Sequence, residues 1–327
     1  MGRDSGDSIV TTFFVPTGGS WSGGGKAVLD NFRHAAERHP EIRFDGGDIA
    51  IVNRNFPPRG QRGPFILIPQ NAWAWAGPKI GPREHMKMAT MRAFSELAMR
   101  RAVGVIRAGR SIPERGNVWS GILPNPLDEG FDSAEVASRE LARPTPEPYF
   151  VSVGSLNSYR GVDFLIRAYA RYRAEGGTTT LHVVGGGQPH YVARIQELAS
   201  EVGGVHLHSE KVTRPQVLAW LRFADAAVLP SYVETSPMSV LEALAVQSNV
   251  LASDIPGHPD IVPDGTRGPD YFSHDRPEEL AAKLLGVLGG VDVVHPLSSS
   301  EFREQQRVDW GNRLAQALRG LSSRASR

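Results

Sequence analysis

Glu234 and Glu242 stand eight residues apart in the segment YVETSPMSVLEAL, residues 232–244. Between them, Ser236-Pro237 reads as the start of a helix. A serine makes a good N-cap, and a proline in the first turn forfeits no hydrogen bond. The segment follows DAAVLPS, an apolar run of strand type. The N–H groups of Met238, Ser239 and Val240 would then point out of a helix start at the carboxyl end of a strand. That arrangement stabilises an anion and suits a diphosphate. Glu242 lies about one and a half turns further on, at roughly 1.5 Å per residue. Carboxylates only accept hydrogen bonds, so both acids suit hydroxyl groups. A ligand with a diphosphate in its middle and hydroxyls at both ends fits this spacing, as in a nucleotide sugar. The competing reading is a solvated loop acid at Glu234 and a helix surface charge at Glu242.

Two glycine-rich stretches lie near further strand ends. TGGSWSGGGKA, residues 17–27, fails the phosphate-loop pattern at Ser20 and Ala27, which excludes that motif. A weaker reading survives, in which backbone around Gly24 meets an anion at a helix start; the alternative is a turn that merely needs flexible residues. LHVVGGGQPHY supplies two glycines of a dinucleotide fingerprint, Gly185 and Gly187, but His190 stands where the third belongs. Gly185 therefore marks a tight turn beside whatever ligand binds. LIPQNAWAWAGP offers Gln70 and Asn71 as amides, and Trp73 and Trp75 as faces for a sugar ring or as packing residues. His85 reads as helix decoration. No aspartate pair or histidine cluster marks a metal site, so none is expected.

These residues need a scaffold, and the chain alternates strand-like and helix-like runs twice. SIVTTFFVP, GDIAIVN, GPFILIP and VGVIRAG read as strands, with GGGKAVLDNFRHAAERH and REHMKMATMRAFSELAMRRA as helices. LARPTPEPYF, residues 141–150, carries three prolines and reads as an extended linker. After it the alternation restarts, from YFVSVGSL to NVLASDI, and ends in the helix VDWGNRLAQALRGLSS. The expectation is two doubly wound α/β domains, residues 1–143 with a returning helix 309–327, and residues 144–308. Ligands in such sheets gather beyond the strands' carboxyl ends, so the cleft between the domains is the expected site.

Composition sets the remaining bounds. The 327 residues contain no cysteine, which excludes disulfides, thiolate metal sites and cysteine nucleophiles. The start MGRDSGDSIV lacks a signal-peptide pattern and no apolar run reaches membrane-spanning length, so a cytoplasmic protein is expected. Net charge is +1, yet residues 54–115 hold twelve Arg or Lys against three Glu, leaving −8 elsewhere. That basic stretch suggests an anionic partner or a peripheral membrane contact, with a solvated helix face as the alternative; no nucleic-acid partner is expected. Arginine dominates over lysine, 31 to 5, a habit of GC-rich bacterial genomes.

Residues 150–265 resemble the nucleotide-binding domain of the retaining glycosyltransferases of family 4, which have the GT-B fold. The resemblance rests on Pro230-Ser231, Glu234 and Glu242-Ala243, on Gly154-Ser155-Leu156 with Arg160-Gly161, and on VVGGG and SDIPGHPDIVPDG. VDWGNRLAQAL resembles the family's helix that crosses back to the first domain. The resemblance implies that Glu242 binds ribose hydroxyls, and that Glu234 with the backbone of Ser236, Pro237, Met238 and Ser239 holds donor sugar and diphosphate. It also implies that Arg160 neutralises the leaving diphosphate and that Val212 passes the base. Ser155 replaces an arginine of the family, and Thr235-Ser236-Pro237 replaces its glycine-rich turn. Asn71 lies where the family commonly has a histidine; an amide can bind a hydroxyl but cannot act as a base.

The leading expectation is a retaining hexosyltransferase using a UDP- or GDP-linked sugar, with Glu234, Arg160 and Asn71 at the reacting centre and no further cofactor. The acceptor is open among small molecules, glycans and lipid-linked sugars, as in secondary-metabolite or polysaccharide synthesis. The alternatives are a nucleotide-sugar epimerase, which needs acid and base groups in the cleft, and a non-catalytic binder of sugar nucleotides.

Overall fold

The computed structural model describes residues 11–16, 24–58, 60–76, 81–114, 118–247, 249–287 and 294–325. The first half runs β1 (Phe13–Phe14), α1 (Gly24–Arg38), β2 (Ile42–Arg43), β3 (Ile49–Val52), β4 (Phe65–Leu67), α2 (Trp73–Ala76), α3 (Gly81–Arg101), β5 (Gly104–Arg107), β6 (Val118–Ile122) and α4 (Glu129–Arg139). The second runs β7 (Tyr149–Val153), α5 (Val162–Ala174), β8 (Thr180–Val184), α6 (Pro189–Val202), β9 (Val205–His208), α7 (Arg214–Phe223), β10 (Ala226–Leu229) and α8 (Met238–Val246). It ends with β11 (Val250–Ser253), α9 (Gly257–Ile261), β12 (Asp270–Phe272), α10 (Pro277–Leu285) and α11 (Ser300–Ala325).

Two six-stranded sheets result, ordered β2-β1-β3-β4-β5-β6 and β12-β11-β10-β7-β8-β9. All pairings shown are parallel. Strands such as β10, AAVL, are buried at every residue, as a sheet covered on both faces demands. Each sheet has a separate core on each face. Tyr149, Val151 and Leu229 belong to one core of the second sheet, and Phe150, Leu181 and Val228 to the other.

The alternation read from the sequence is present, with additions. Strands β2, β6 and β12 and helix α4 carried no clear periodic signal. Leu127, Phe131 and Ala134 of the α4 region pack into the core around Tyr149 and Trp220, so this helix sits on the second sheet. Gly130 and the acids around it dilute that stripe. The returning helix is α11. Its Trp310, Leu314, Leu318 and Leu321 complete the core formed by Phe13, Phe32 and Ile106, with Trp310 edge-on to Phe32 at 5.3 Å. Burying each such leucine contributes about 1.5–3 kcal/mol.

The topology fixes where a ligand would sit. In the second sheet the chain enters at β7, winds outward through β8 and β9, then returns to lay β10 beside β7. The strand order reverses between β7 and β10, and a crevice opens beyond the carboxyl ends of strands at such a point. Among the described residues no helix is long and apolar enough to cross a membrane.

Candidate active site

The loops leaving β7 and β10 converge at that switch point. Gly161 ends the first loop at φ 67°, and a Cβ there would lie 1.9 Å from the Pro230 carbonyl oxygen. Only glycine lets the two backbones approach this closely. Gly185, after β8, plays the same part at φ 142°, where a Cβ would sit 2.1 Å from the Gly154 oxygen. These contacts set Arg160 against the loop that carries Glu234. A recess open to solvent lies between them, lined by Gly154, Ser155, Arg160, Pro230, Ser231 and Ser239 among others.

Within it, Arg160 Nη1 donates to Oε1 of Glu234, and Ser231 Oγ donates to the same oxygen at 2.8 Å. Burial opposes the charge on Arg160, but the Glu234 carboxylate overcomes it and holds the guanidinium pKa above its usual value. Arg160 Nε is buried and has no hydrogen-bond partner among the described residues. A guanidinium with a spare buried donor, facing a recess, is suited to an anionic ligand. Beside this pair sits His258, 1% exposed, with Nδ1 2.7 Å from the Ser253 carbonyl. Burial pushes its pKa down, against the pull of Glu234, so it is a neutral donor to that carbonyl.

Glu242 lies one turn past Ser239 on α8, and residues three apart share a helix face. Arg214 Nε reaches its Oε1 at 2.8 Å and Nη2 reaches the same oxygen at 2.7 Å. Burial pushes the Glu242 carboxyl pKa up, and Arg214 only partly offsets this. Both glutamates are thus gripped through one oxygen by an arginine. Arg214 and its other partner, Asp128, were not singled out from the sequence. The pairs span 28 and 86 residues; the local clue was the TRPQ helix start at 213–216.

The helix start differs from the sequence reading by one residue. Pro237, not Ser236, occupies the N-cap position of α8, and no side chain caps it. Ser236 Oγ instead accepts from the Asn125 N–H at 2.8 Å, a bond from the opposite half of the molecule. The Val240 N–H is also engaged, donating to the Pro237 carbonyl at 3.0 Å. The N–H groups left for a ligand at this helix start are therefore those of Met238 and Ser239.

The remaining candidates fall in varied places. Ser155 is exposed and its Oγ accepts from Asn157 Nδ2 at 3.0 Å. Val212 is partly buried against the core around Trp220. Gly24 opens α1, while the glycine turn of residues 17–23 lies outside the described residues. Asn71 is exposed, but its Oδ1 accepts from the Trp73 N–H at 2.8 Å and so caps α2. Trp73 is 6% exposed and belongs to a core of the first sheet, with Trp75 packed against the same cluster. These two rings are packing residues in this structure. His85 is exposed on α3.

The carboxyl ends of the two sheets meet at this site. The Ala72 N–H donates to Thr235 Oγ1 at 2.9 Å, and Arg110 donates from backbone and side chain to Asp260. Val233, in the loop beside Glu234, is buried within a core of the first sheet. The loop bearing Glu234 is thus held from both sides.

Comparison with known proteins agrees with this geometry. Residues 147–289 match the family model described as glycosyl transferases group 1. A D-inositol 3-phosphate glycosyltransferase of Streptomyces coelicolor is 27% identical over 222 residues, covering 65% of this chain and 48% of that protein. One from Nocardia farcinica is 33% identical over 198 residues, 57% of this chain and 43% of its own length. This chain thus spans less than half the length of these relatives. A sucrose-phosphate synthase from Thermosynechococcus elongatus superposes with a TM-score of 0.67 at 14% identity, covering 96% of this chain and 100% of that one. The chain therefore has the two-domain GT-B fold, and residues 147–289 within its second domain are similar to the glycosyl transferases group 1 model.

Proposed function

We propose that this chain is a retaining glycosyltransferase that moves a hexose from a UDP- or GDP-linked donor to an acceptor. The observation that carries the reading is the meeting of Arg160, Glu234 and the N-terminus of α8 at the switch point of the second sheet. In this reading the diphosphate lies against the N–H groups of Met238 and Ser239, and Arg160 donates to its oxygens. Glu242 accepts from the ribose hydroxyls and Glu234 from those of the donor sugar. Gly185 gives the backbone turn beside the ligand, Ser155 a hydroxyl at the rim, and Val212 the neighbourhood of the base.

The chemistry asked of the protein is modest. As the glycosidic bond to the diphosphate breaks, negative charge grows on the leaving oxygen. Arg160 and the helix start meet that charge with dipoles already in place. Positioning the acceptor hydroxyl on the same face then permits retention without a protein nucleophile. Asn71, exposed beside the seam, offers its Nδ2 to a sugar hydroxyl while its Oδ1 stays on the helix cap. The basic 54–115 stretch favours an anionic acceptor. The named relatives act on D-inositol 3-phosphate, which is of that class.

The same stretch supports a peripheral membrane contact through the outer face of α3, where Met86, Phe94 and Leu97 are exposed. Exposed Arg100 and Arg101 lie beside them. Pelleting with anionic but not neutral vesicles is expected if that face docks on lipid.

Incubation with UDP- and GDP-hexoses tests the reading. Slow hydrolysis releasing nucleotide diphosphate, with the donor's anomeric configuration first seen in the sugar by NMR, is expected. Binding without turnover favours the non-catalytic reading, and an epimerised nucleotide sugar favours the isomerase.

A further inference from the structure

We propose that Arg214 is a positioning residue for the nucleotide ribose, gripping one oxygen of Glu242 so that the other is presented to the ribose diol. The proposal rests on the reading above, in which Glu242 is the ribose acceptor.

The backbone of Arg214 is fixed before its side chain is considered. It is the first residue of α7, and Thr213 caps that helix. Thr213 Oγ1 accepts from the Gln216 N–H, and the Gln216 side chain accepts from the Thr213 N–H at 2.8 Å. This reciprocal box, with Pro215 in the first turn, leaves the helix start little freedom. The side chain then spends every nitrogen. Nε and Nη2 go to Glu242 Oε1 at 2.8 and 2.7 Å, and Nη1 goes to Asp128 at 2.9 Å. The guanidinium carbon lies 5.5 Å from the centre of the Phe131 ring, which stops the group tilting away.

Asp128 is itself anchored. It is 3% exposed and precedes α4 as its N-cap residue, on a helix packed into the second domain. One cation therefore faces two carboxylates in a largely buried cluster. The cluster keeps a residual negative charge, and no contact to Glu242 Oε2 is made among the described residues. Glu242 Oε2 is not among the buried atoms that lack a partner, so it reaches solvent, and a vicinal diol would supply two O–H donors in place of water. A parallel two-bond pair would engage both oxygens and leave each with one lone pair. Here both bonds fall on one oxygen. Glu242 sits one turn from Ser239, which lines the recess, so the two residues share a face of α8.

A purely structural salt bridge tying α4, α7 and α8 together is the rival account. The two differ in what the ligand senses. Burial already pushes the Glu242 carboxyl pKa up. Removing the cation raises it further, so the acid limb of nucleotide binding moves toward neutral pH. A structural brace would lower stability without changing which nucleotides bind.

The experiment measures affinity for UDP and GDP against their 2′,3′-dideoxy counterparts, across pH, in wild type, Glu242→Gln, Arg214→Met and Arg214→Lys. Wild type is expected to prefer the ribo form by about tenfold or more, the worth of a hydrogen bond to a charged group. Glu242→Gln is expected to lose most of that preference. Arg214→Met is expected to lose it too at neutral pH and regain part of it at higher pH. Arg214→Lys is expected to be intermediate, and it serves if the methionine variant folds poorly. Equal affinity of wild type for ribo and dideoxy forms would overturn the ribose reading, and this proposal with it. A preference lost in Glu242→Gln but intact in both Arg214 variants, with an unmoved pH profile, would overturn the positioning role alone.

Discussion

The two halves of the molecule present different chemistry where their strand ends meet. Beyond β7, β9 and β10 the second half sets ionised groups, the Arg160–Glu234 and Arg214–Glu242 pairs. Beyond β3, β4 and β6 the first half sets amides. Gln70 donates to Asn53 at 2.6 Å, Asn125 donates to Gln70 at 3.2 Å, and Asn55 exchanges bonds with the Asn71 backbone at 2.6 and 3.0 Å. Arg110, bound to Asp260, makes a charged contact from this side. Charges lie where a leaving diphosphate would need them. Neutral donors and acceptors lie where an acceptor hydroxyl would need orientation. Amides cannot take a proton at neutral pH, so in the proposed function the first half would guide and the second would stabilise charge.

The largest expected effect breaks the charged half. Gly161→Val puts a branched side chain at φ 67° and against the Pro230 carbonyl. Strain and overlap together should cost about 4 kcal/mol in urea unfolding, and nucleotide affinity should fall as Arg160 leaves Glu234. A fully stable variant with unchanged affinity would show that this close approach does not build the site.

Next in size is an acid sensitivity confined to the second half. His182 is stacked with His206 at 4.8 Å and its Nδ1 is 2.9 Å from Nε2 of His208, under Trp220 and Tyr149. Arg143 lies over the Tyr149 ring, and Glu210 stands beside His208. Burial, then the neighbouring imidazoles, push the His182 pKa down from 6.5 to about 4. The unfolded chain therefore binds the proton more readily, and stability that is full above pH 6.5 is lost as pH falls toward 4. The loss should reach about 3 kcal/mol, and His182→Gln should flatten that limb of a melting-temperature profile. An unchanged limb would move the sensitivity to other groups.

The smallest effect sits on the seam. Thr235→Val keeps the shape but leaves the buried Ala72 N–H without its acceptor. A loss of about 1–3 kcal/mol is expected, with donor KM raised more than nucleoside diphosphate Kd, because the seam orders Glu234 rather than the phosphates. Equal changes in both constants would mean that the two halves are not chemically divided as described.

Particular residues show why some of this could be read from the sequence and some could not. The alternation of short apolar runs and amphipathic helices dictates parallel sheets, and local spacing alone brings Glu234 and Glu242 to a strand end. Arg214 reaches Glu242 and Asp128 only through folding, across 28 and 86 residues, and no periodicity announces such a clamp. Ser236 looked like a local cap because serine is a good one. The Asn125 N–H, 111 residues away, takes that oxygen instead. Asn71 and Trp73 show the converse: residues with the look of ligand contacts whose hydrogen bonds and burial are spent on helix α2 and the core. The first half was harder to read because its strands are two to five residues long and its site residues are uncharged.

The most direct test of the account is a crystal structure with UDP or GDP bound. The account predicts the diphosphate against the Met238 and Ser239 N–H groups, with Arg160 on its oxygens and the ribose hydroxyls on Glu242. A diphosphate bound anywhere else, with the switch point of the second sheet empty of it, would contradict the account.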